Sequence, residues 1–246
     1  MKVAFISSLF IGTQFKTPDT PGHFDKMENI DYLLFTNIDS NKFNTSWSII
    51  NIDFENFSNS IIKSRIPKFQ PWKINLLKTY DIVIFCDAYW SPVNNINIWK
   101  NVFSQLLQSK NGILQSKNPY RNCAYDECKE IVRLKKDSPE KIIKTLNFFK
   151  SNNLPFHAGL WRNTFLCVNM KNKNVKTLFD HLWSLYNSNT YTHRDQPLYS
   201  YSIFKTNIIP EEISEARVNV HNNYVTKQAS INLFKITGKI SNHTYN

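Results

Sequence analysis

The run Asp81-Ile82-Val83-Ile84-Phe85-Cys86 constrains this chain more than any other segment. An unbroken, largely β-branched apolar stretch of that length suits a strand covered on both faces. Such a strand belongs in the middle of a layered sheet. Asp87 follows it directly. A carboxylate at the carboxyl end of a buried strand is costly unless something uses it. Metal or ribose binding would be such a use, and a cap for the following segment is the plain alternative.

Lys2–Leu9, Tyr32–Thr36, Trp47–Ile52 and Phe165–Met170 also read as strands. Apolar residues at helical spacing run through Val93–Leu107 and Val175–Tyr186. Ser138-Pro139-Glu140 is a helix start with Pro at the first helical position, followed by a stripe of Ile142, Ile143, Leu146 and Phe149. Glu127–Leu134 is a further helical run, and Pro67 and Pro71 confine any helix within Ile61–Leu77 to a short or broken one. Strands alternating with helices predict an α/β fold, with a mixed, mostly parallel, Rossmann-like sheet flanked by helices. The expected organisation is one domain over residues 1–246, with a core in about 1–205 and an extension in about 206–246. Ligands of open sheets of this kind bind beyond the carboxyl ends of the strands.

With 30 Lys+Arg against 19 Asp+Glu, the chain carries +11 and favours anionic partners. Frequent Asn, Ile and Lys suit an AT-rich genome, such as that of a large DNA virus or a low-GC bacterium, so composition alone accounts for part of the charge. The cysteines Cys86, Cys123, Cys128 and Cys167 form no CxxC pair, and reduced intracellular thiols are expected. No apolar run approaches the ~18 residues of a membrane span, and the N-terminus reads as a strand instead of a leader. The expected location is the cytoplasm or a membrane surface, or the host cytoplasm for a viral protein. P-loop, GxGxxG, HExxH and GxSxG fingerprints are absent from the sequence, as are zinc-finger spacing and an RNA-recognition pattern.

Four further segments carry chemistry. Arg65 and Lys68 could hold a diphosphate, Arg by bidentate contacts and Lys as a point charge; an exposed basic loop is the alternative. In His193-Arg194-Asp195-Gln196, Pro197 at a helix start would leave the preceding residues on a loop. There Asp195 could act as general base or bind sugar hydroxyls, or simply cap the helix. Pro119–Glu127 mixes Arg121, Tyr125, Asp126 and Glu127, whose acids would also suit a helix N-terminus. In His157–Arg162, Gly159 allows close backbone approach and Trp161 could stack on a sugar ring.

The string SRIPKFQPWKINLLKTYDIVIFCDAYW resembles the donor-site region of nucleotide-sugar glycosyltransferases of the GT-A fold. KNPYRNCAYDEC, LPFHAGLWRNTFLCVN and HRDQPLYSY, in that order, resemble a more specific family formerly of unknown function. It includes plant mucilage-related, bacterial and viral glycosyltransferase-like proteins. The likeness covers about residues 30–205.

The resemblance implies a GT-A-like enzyme that moves a sugar, hexosyl or pentosyl, from a nucleoside-diphosphate donor to a hydroxyl of a glycan or glycoprotein. UDP is the favoured base and GDP the second. It places Arg65 and Lys68 at the donor diphosphate or nucleoside, and Ser7, Thr36 and Asn37 with the donor. Asp87 is the surviving acid of a DxD element, for here the turn reads Asp87-Ala88-Tyr89. Arg121, Tyr125 and Glu127 match one block, and Arg194, Asp195 and Gln196 another, near the reacting sugar. His157, Gly159 and Trp161 would meet the acceptor. A divalent cation, Mn²⁺ or Mg²⁺, would take Asp87 and a second ligand such as His221. Asp195, with Glu127 second, would be the base of an inverting reaction; a retaining route assisted by the leaving group fits equally. No specific nucleic-acid partner is expected. The competing reading is a basic, non-catalytic module for nucleic acid or anionic glycan.

Overall fold

The computed structural model describes residues 1–12, 19–57, 59–213, 220–221, 224–225 and 233–240. Seven strands form one sheet: β1 (Val3–Leu9), β2 (Asp31–Thr36), β3 (Ser48–Asn51), β4 (Ile82–Cys86), β6 (Ile113–Gln115), β7 (Phe165–Asn169) and β8 (Glu211–Glu212). β5 (Trp90–Pro92) lies outside it and pairs with β11 (Phe234–Ile236); β9 (Val220–His221) pairs with β10 (Tyr224–Val225). The sheet order is β3-β2-β1-β4-β7-β6-β8, so the apolar run before Asp87 occupies the centre. β1 to β4 are mutually parallel, β7 is antiparallel to β4 and β6, and β8 returns parallel to β6. The expected mixed, mostly parallel sheet is therefore the one observed.

Strand alternation sorts the core onto two faces. Ala4, Ile6, Val83 and Phe85 pack under the helices α1 (Ser60–Phe69), α3 (Ala124–Arg133), α4 (Pro139–Ser151), α5 (Lys173–Tyr186) and α6 (Asp195–Thr206). Val3, Phe5, Ile82, Ile84 and Cys86 pack on the other face against α2 (Ile96–Gln108) and the β5–β11 pair. Residue 87 continues the face of Val83 and Phe85, which sends the Asp87 side toward α1.

α1 starts on Asn59, whose side chain accepts from the Ile61 N–H at 2.9 Å, and stops at Gln70, since the residue before Pro71 is biased away from helix. It runs through Pro67, so only Pro71 marks its end. α2 begins later than expected, and its buried residues are Trp99, Val102, Phe103 and Leu106, while Ile96 and Leu107 face water. α4 starts at Pro139 with Ser138 as its cap, but Ile143 of the expected stripe is 57% exposed. Among the described residues beyond 205, β8 completes the sheet edge, and Ile213, Leu233 and Phe234 are buried. All four cysteines are buried. Among the described residues no helix is long and apolar enough to cross a membrane.

The helix faces yield a paired prediction. Leu182, fully buried on α5, should cost about 2–5 kcal/mol when changed to Ala. Ile143→Ala, on the exposed face of α4, should stay within about 0.5 kcal/mol of the parent. Urea unfolding of both variants measures this, and equal losses would contradict the assigned faces.

Candidate functional site

The site forms where α1 and α6 meet the carboxyl end of β4. Asp195 is the first residue of α6, so its backbone is helical and not in the loop expected before Pro197. Its Oδ2 lies 2.8 Å from Lys68 Nζ and 3.0 Å from Arg65 Nε, both from α1. All three side chains are largely withdrawn from water, Lys68 to 2%. The Lys68 ammonium also sits over Phe69 and Phe85, 4.9 and 4.8 Å from the ring centroids. The basic segment is thus a buried helix and not an exposed loop.

This packing sets the ionisation of each group. Burial would raise the Asp195 pKa, but Lys68 and Arg65 outweigh it and hold the carboxyl far below the usual carboxylate range, with Asn163 assisting. Burial works against the charge of Arg65, yet Asp195, Tyr186 and Asp87 drive its pKa up and keep it cationic. Lys68 is lowered by burial, with Asp195 opposing the shift. A carboxylate held this strongly ionised is a poor proton acceptor near neutral pH. The expectation of Asp195 as general base therefore meets a physical obstacle: its charge is committed to two cations.

Asp87 is held at the strand end by its backbone, whose N–H donates to the Thr164 carbonyl at 2.9 Å. Burial pushes its carboxyl up to about 6, against the pull of Lys68 and Arg65, with Asp19 and Asp195 pushing the same way as burial. It is not a helix cap, for α2 is capped by Asn95. The second acid position is Tyr89, whose phenol is pushed up by burial and by Asp87. The turn is covered closely: a Cβ at Gly238 would lie 1.8 Å from the Thr20 carbonyl oxygen and 2.9 Å from Tyr89 Cα. Only glycine fits between them.

A second polar group adjoins the first. Arg121 Nε meets Glu127 Oε2 at 2.6 Å at the start of α3. Lys136, lowered by burial, feels Arg194 and then Glu127. Arg194 Nε in turn donates to the Lys136 carbonyl at 3.2 Å and lies beside Arg65 and Asp195. The blocks around Arg121 and Arg194, far apart in sequence, therefore meet. Glu127, like Asp195, has a cation bound to it.

Other expected residues are placed differently. Ser7 is fully buried and shares the strand face of Val3 and Phe5, opposite the cations, so it has no route to a ligand in the cluster. Thr36 is also buried, and its Oγ1 accepts from the Ile38 N–H at 3.1 Å. Asn37 commits its amide to Ile11, accepting from N–H and donating to the carbonyl at 3.0 Å each, and so ties the ends of β1 and β2. Gln196 Nε2 donates to the Trp161 carbonyl at 2.8 Å. Trp161 is 7% exposed and packs in the core, so its ring offers no stacking face. Tyr125 is likewise buried, its hydroxyl donating to the Leu154 carbonyl at 2.8 Å. Gly159, at φ +97°, has open space where a Cβ would stand, and its carbonyl accepts from Ser200 Oγ of α6 at 2.6 Å. His157 is exposed, with Nδ1 2.7 Å from Asn122 Oδ1. The side chain of His221 lies outside the described residues.

Sequence reasoning missed Asn163, Tyr186 and Asp137. Asp137 Oδ2 accepts from Thr192 Oγ1 and the His193 N–H at 2.7 and 2.8 Å and faces His193 Nδ1 at 2.9 Å. Tyr186 donates its hydroxyl to the His193 carbonyl. Both position the turn that delivers Asp195; neither stands in a readable motif.

Asp87 generates a pH-dependent prediction. Its folded pKa exceeds the unfolded value of about 3.8, so the native state binds the extra proton between pH ~4 and ~6. Stability contributed by the protonated form is present below pH ~4 and is lost as pH rises through about 6. Two units correspond to ~3 kcal/mol, which partial exposure reduces to about 1–2 kcal/mol. Asp87→Asn should therefore match the parent at pH 4 and exceed it by that amount at pH 7, in chemical unfolding. A difference that does not change with pH would contradict the assignment.

No family model and no curated protein matches the chain. Solved structures similar to it include mouse xyloside xylosyltransferase 1 in its apo form, at 10% identity and TM-score 0.39, over 75% of this chain and 71% of that one. The apo structure of the bifunctional glycosyltransferase WbbM is similar at 16% identity and TM-score 0.45, over 85% of this chain and 38% of that one. The mannosyltransferase Ktr4p from S. cerevisiae is similar at 11% identity and TM-score 0.42, over 82% of this chain and 65% of that one. At these scores the site's own geometry, and not the likeness, says what the residues can do.

Proposed function

We propose that the protein is a GT-A-type glycosyltransferase that moves a sugar from a nucleoside-diphosphate donor to a hydroxyl of a glycan or glycoprotein. The observation that carries this reading is the buried Asp195–Lys68–Arg65 cluster beside Asp87 at the carboxyl end of the central strand. Breaking the bond between the anomeric carbon and the donor phosphate leaves negative charge on the diphosphate and positive charge on the sugar. Fixed cations and a fixed carboxylate, already desolvated, answer both without reorganising. Lys68 and Arg65 face the leaving diphosphate, and ionised Asp195 faces the sugar, where it stabilises the positive carbon and accepts from hydroxyls.

Because Asp195 is a poor base, the assisted route is preferred. The acceptor hydroxyl forms its bond to the anomeric carbon on the face the diphosphate leaves, and its proton passes to the departing diphosphate oxygen. The configuration is then retained. Asp87 serves the ribose or a cation. Its under-compensated carboxyl, with Asp19 acting on it, suits a magnesium-type ion, which binds one or two carboxylates plus substrate phosphates. Such an ion, held by Asp87 and Asp19, would offset charge on the leaving diphosphate. On the acceptor side, Phe156 takes the place expected for Trp161: it stacks on Tyr125 at 4.4 Å and is 64% exposed, leaving one face for a sugar ring.

Incubation with UDP- and GDP-sugars, Mg²⁺ or Mn²⁺ and glycan acceptors should show release of one nucleoside diphosphate. Lys68→Met and Asp195→Asn should each lower kcat about 100-fold or more, with the native circular-dichroism spectrum retained. Unchanged turnover in either variant, or no turnover of any nucleotide sugar by the parent, would overturn the reading.

A further inference from the structure

Away from the cluster at β4, a second set of side chains converges. Cys123 and Asp126 stand at the start of α3, and His157 lies on the chain between α4 and β7. A sulfur, a carboxylate oxygen and a ring nitrogen, one from each, all lie within 4.8 Å of one another. We propose that Cys123, Asp126 and His157 form a binding site for a zinc-class divalent transition-metal ion, separate from the donor site and independent of the proposed transferase activity.

The donor set carries the choice of metal. One thiolate, one imidazole and one carboxylate are the ligand types of zinc, and hard cations such as Mg²⁺ avoid sulfur. With the thiol deprotonated, the trio carries two negative charges, which a divalent ion neutralises. Ligands at about 2.0–2.3 Å from a tetrahedral ion stand roughly 3.3–3.7 Å apart, so binding an ion draws the three atoms together from within their 4.8 Å limit. Three protein ligands leave a fourth position for water or a further donor.

The surroundings are arranged for such a site. Asn122 Oδ1 accepts at 2.7 Å from His157 Nδ1. In the tautomer with its proton on Nδ1, this contact is a donated bond and Nε2 keeps its lone pair. A hydrogen bond on one nitrogen that fixes the other as ligand is the usual support of a metal-bound histidine. The two segments are also clamped through the backbone, Gly159 N–H to the Asn122 carbonyl at 3.0 Å and Asn118 N–H to the Leu160 carbonyl at 2.8 Å. Cys123 is the N-cap residue of α3, and its side chain makes no capping bond. Lys129 holds one oxygen of Asp126 at 3.0 Å, and the Cys123 side chain bonds to the same carboxylate. A bound ion would staple the start of α3 to the 157–161 strap, which lies along α6.

The test uses the full chain, stripped with chelator and titrated with zinc sulfate, and separately with cobalt chloride. The expected result is one equivalent of zinc, a rise in melting temperature, and a thiolate-to-cobalt charge-transfer band. Cys123→Ser should abolish the band. Asp126→Asn and His157→Gln, both at the surface and compatible with folding, should weaken zinc at least tenfold, and Asn122→Ala about tenfold through the lost support. Asp87→Asn should bind zinc as the parent does. Absence of zinc binding by the parent, binding that survives the triple substitution at Cys123, Asp126 and His157, or loss of binding in Asp87→Asn would each overturn the proposal.

Discussion

Taking Asp195, Lys68 and Arg65 out of water carries a desolvation penalty of several kcal/mol per ion, and their mutual attraction offsets it only when the geometry is close. Here one carboxylate oxygen meets both cations within 3.0 Å. The contact joins α1, lying over β1 and β2, to the first turn of α6, and so fixes which groups face the end of the central strand. Removing one partner would leave a buried charge without its counter-ion, a loss of about 3–5 kcal/mol. Stability alone gives little reason to keep such a trio, because well-packed apolar residues can do as well. Its place at the carboxyl edge of parallel strands supplies a chemical reason.

The neighbouring groups deepen that contrast. Asp195 is held ionised while Asp87, on the same side of the sheet, is pushed toward its neutral form by burial. Two carboxyl groups driven in opposite directions by their surroundings signal two roles. The turn before α6 is over-determined: Asp137 accepts from Thr192 and His193, and Tyr186 donates to the His193 carbonyl. Burial keeps His193 below its ordinary pKa, with Asp137 opposing the shift, so the imidazole stands neutral at pH 7 as a structural support. Rigid support of this kind is what preorganised electrostatics requires.

Much of this was legible in the residues, for identifiable reasons. The central strand declares itself because burial on both faces demands an unbroken apolar run, and Asp87 stands out against it. α5 is legible because Leu178, Phe179, Leu182, Trp183 and Tyr186 keep helical spacing and all are buried. β6 and β8 escape notice because strands of three and two residues leave no periodicity. The burial of Lys68 is a tertiary effect, set by a carboxylate 127 positions away. The resemblance places Ser7 with the donor, yet strand alternation turns it to the opposite face. Asn37 has the right chemistry for a nucleobase, but its amide is matched by the Ile11 backbone 26 positions away, a tertiary use that composition cannot reveal.

The central claim is that the cations at Asp195 receive a nucleoside diphosphate. Calorimetric titration of UDP and GDP into the parent and into Lys68→Met tests it most directly. The account predicts saturable binding of one nucleotide to the parent, weakened at least tenfold in the variant. Equal affinity in both proteins, or no nucleotide binding alongside steeply salt-dependent binding of generic DNA, would contradict it and favour a basic binding module.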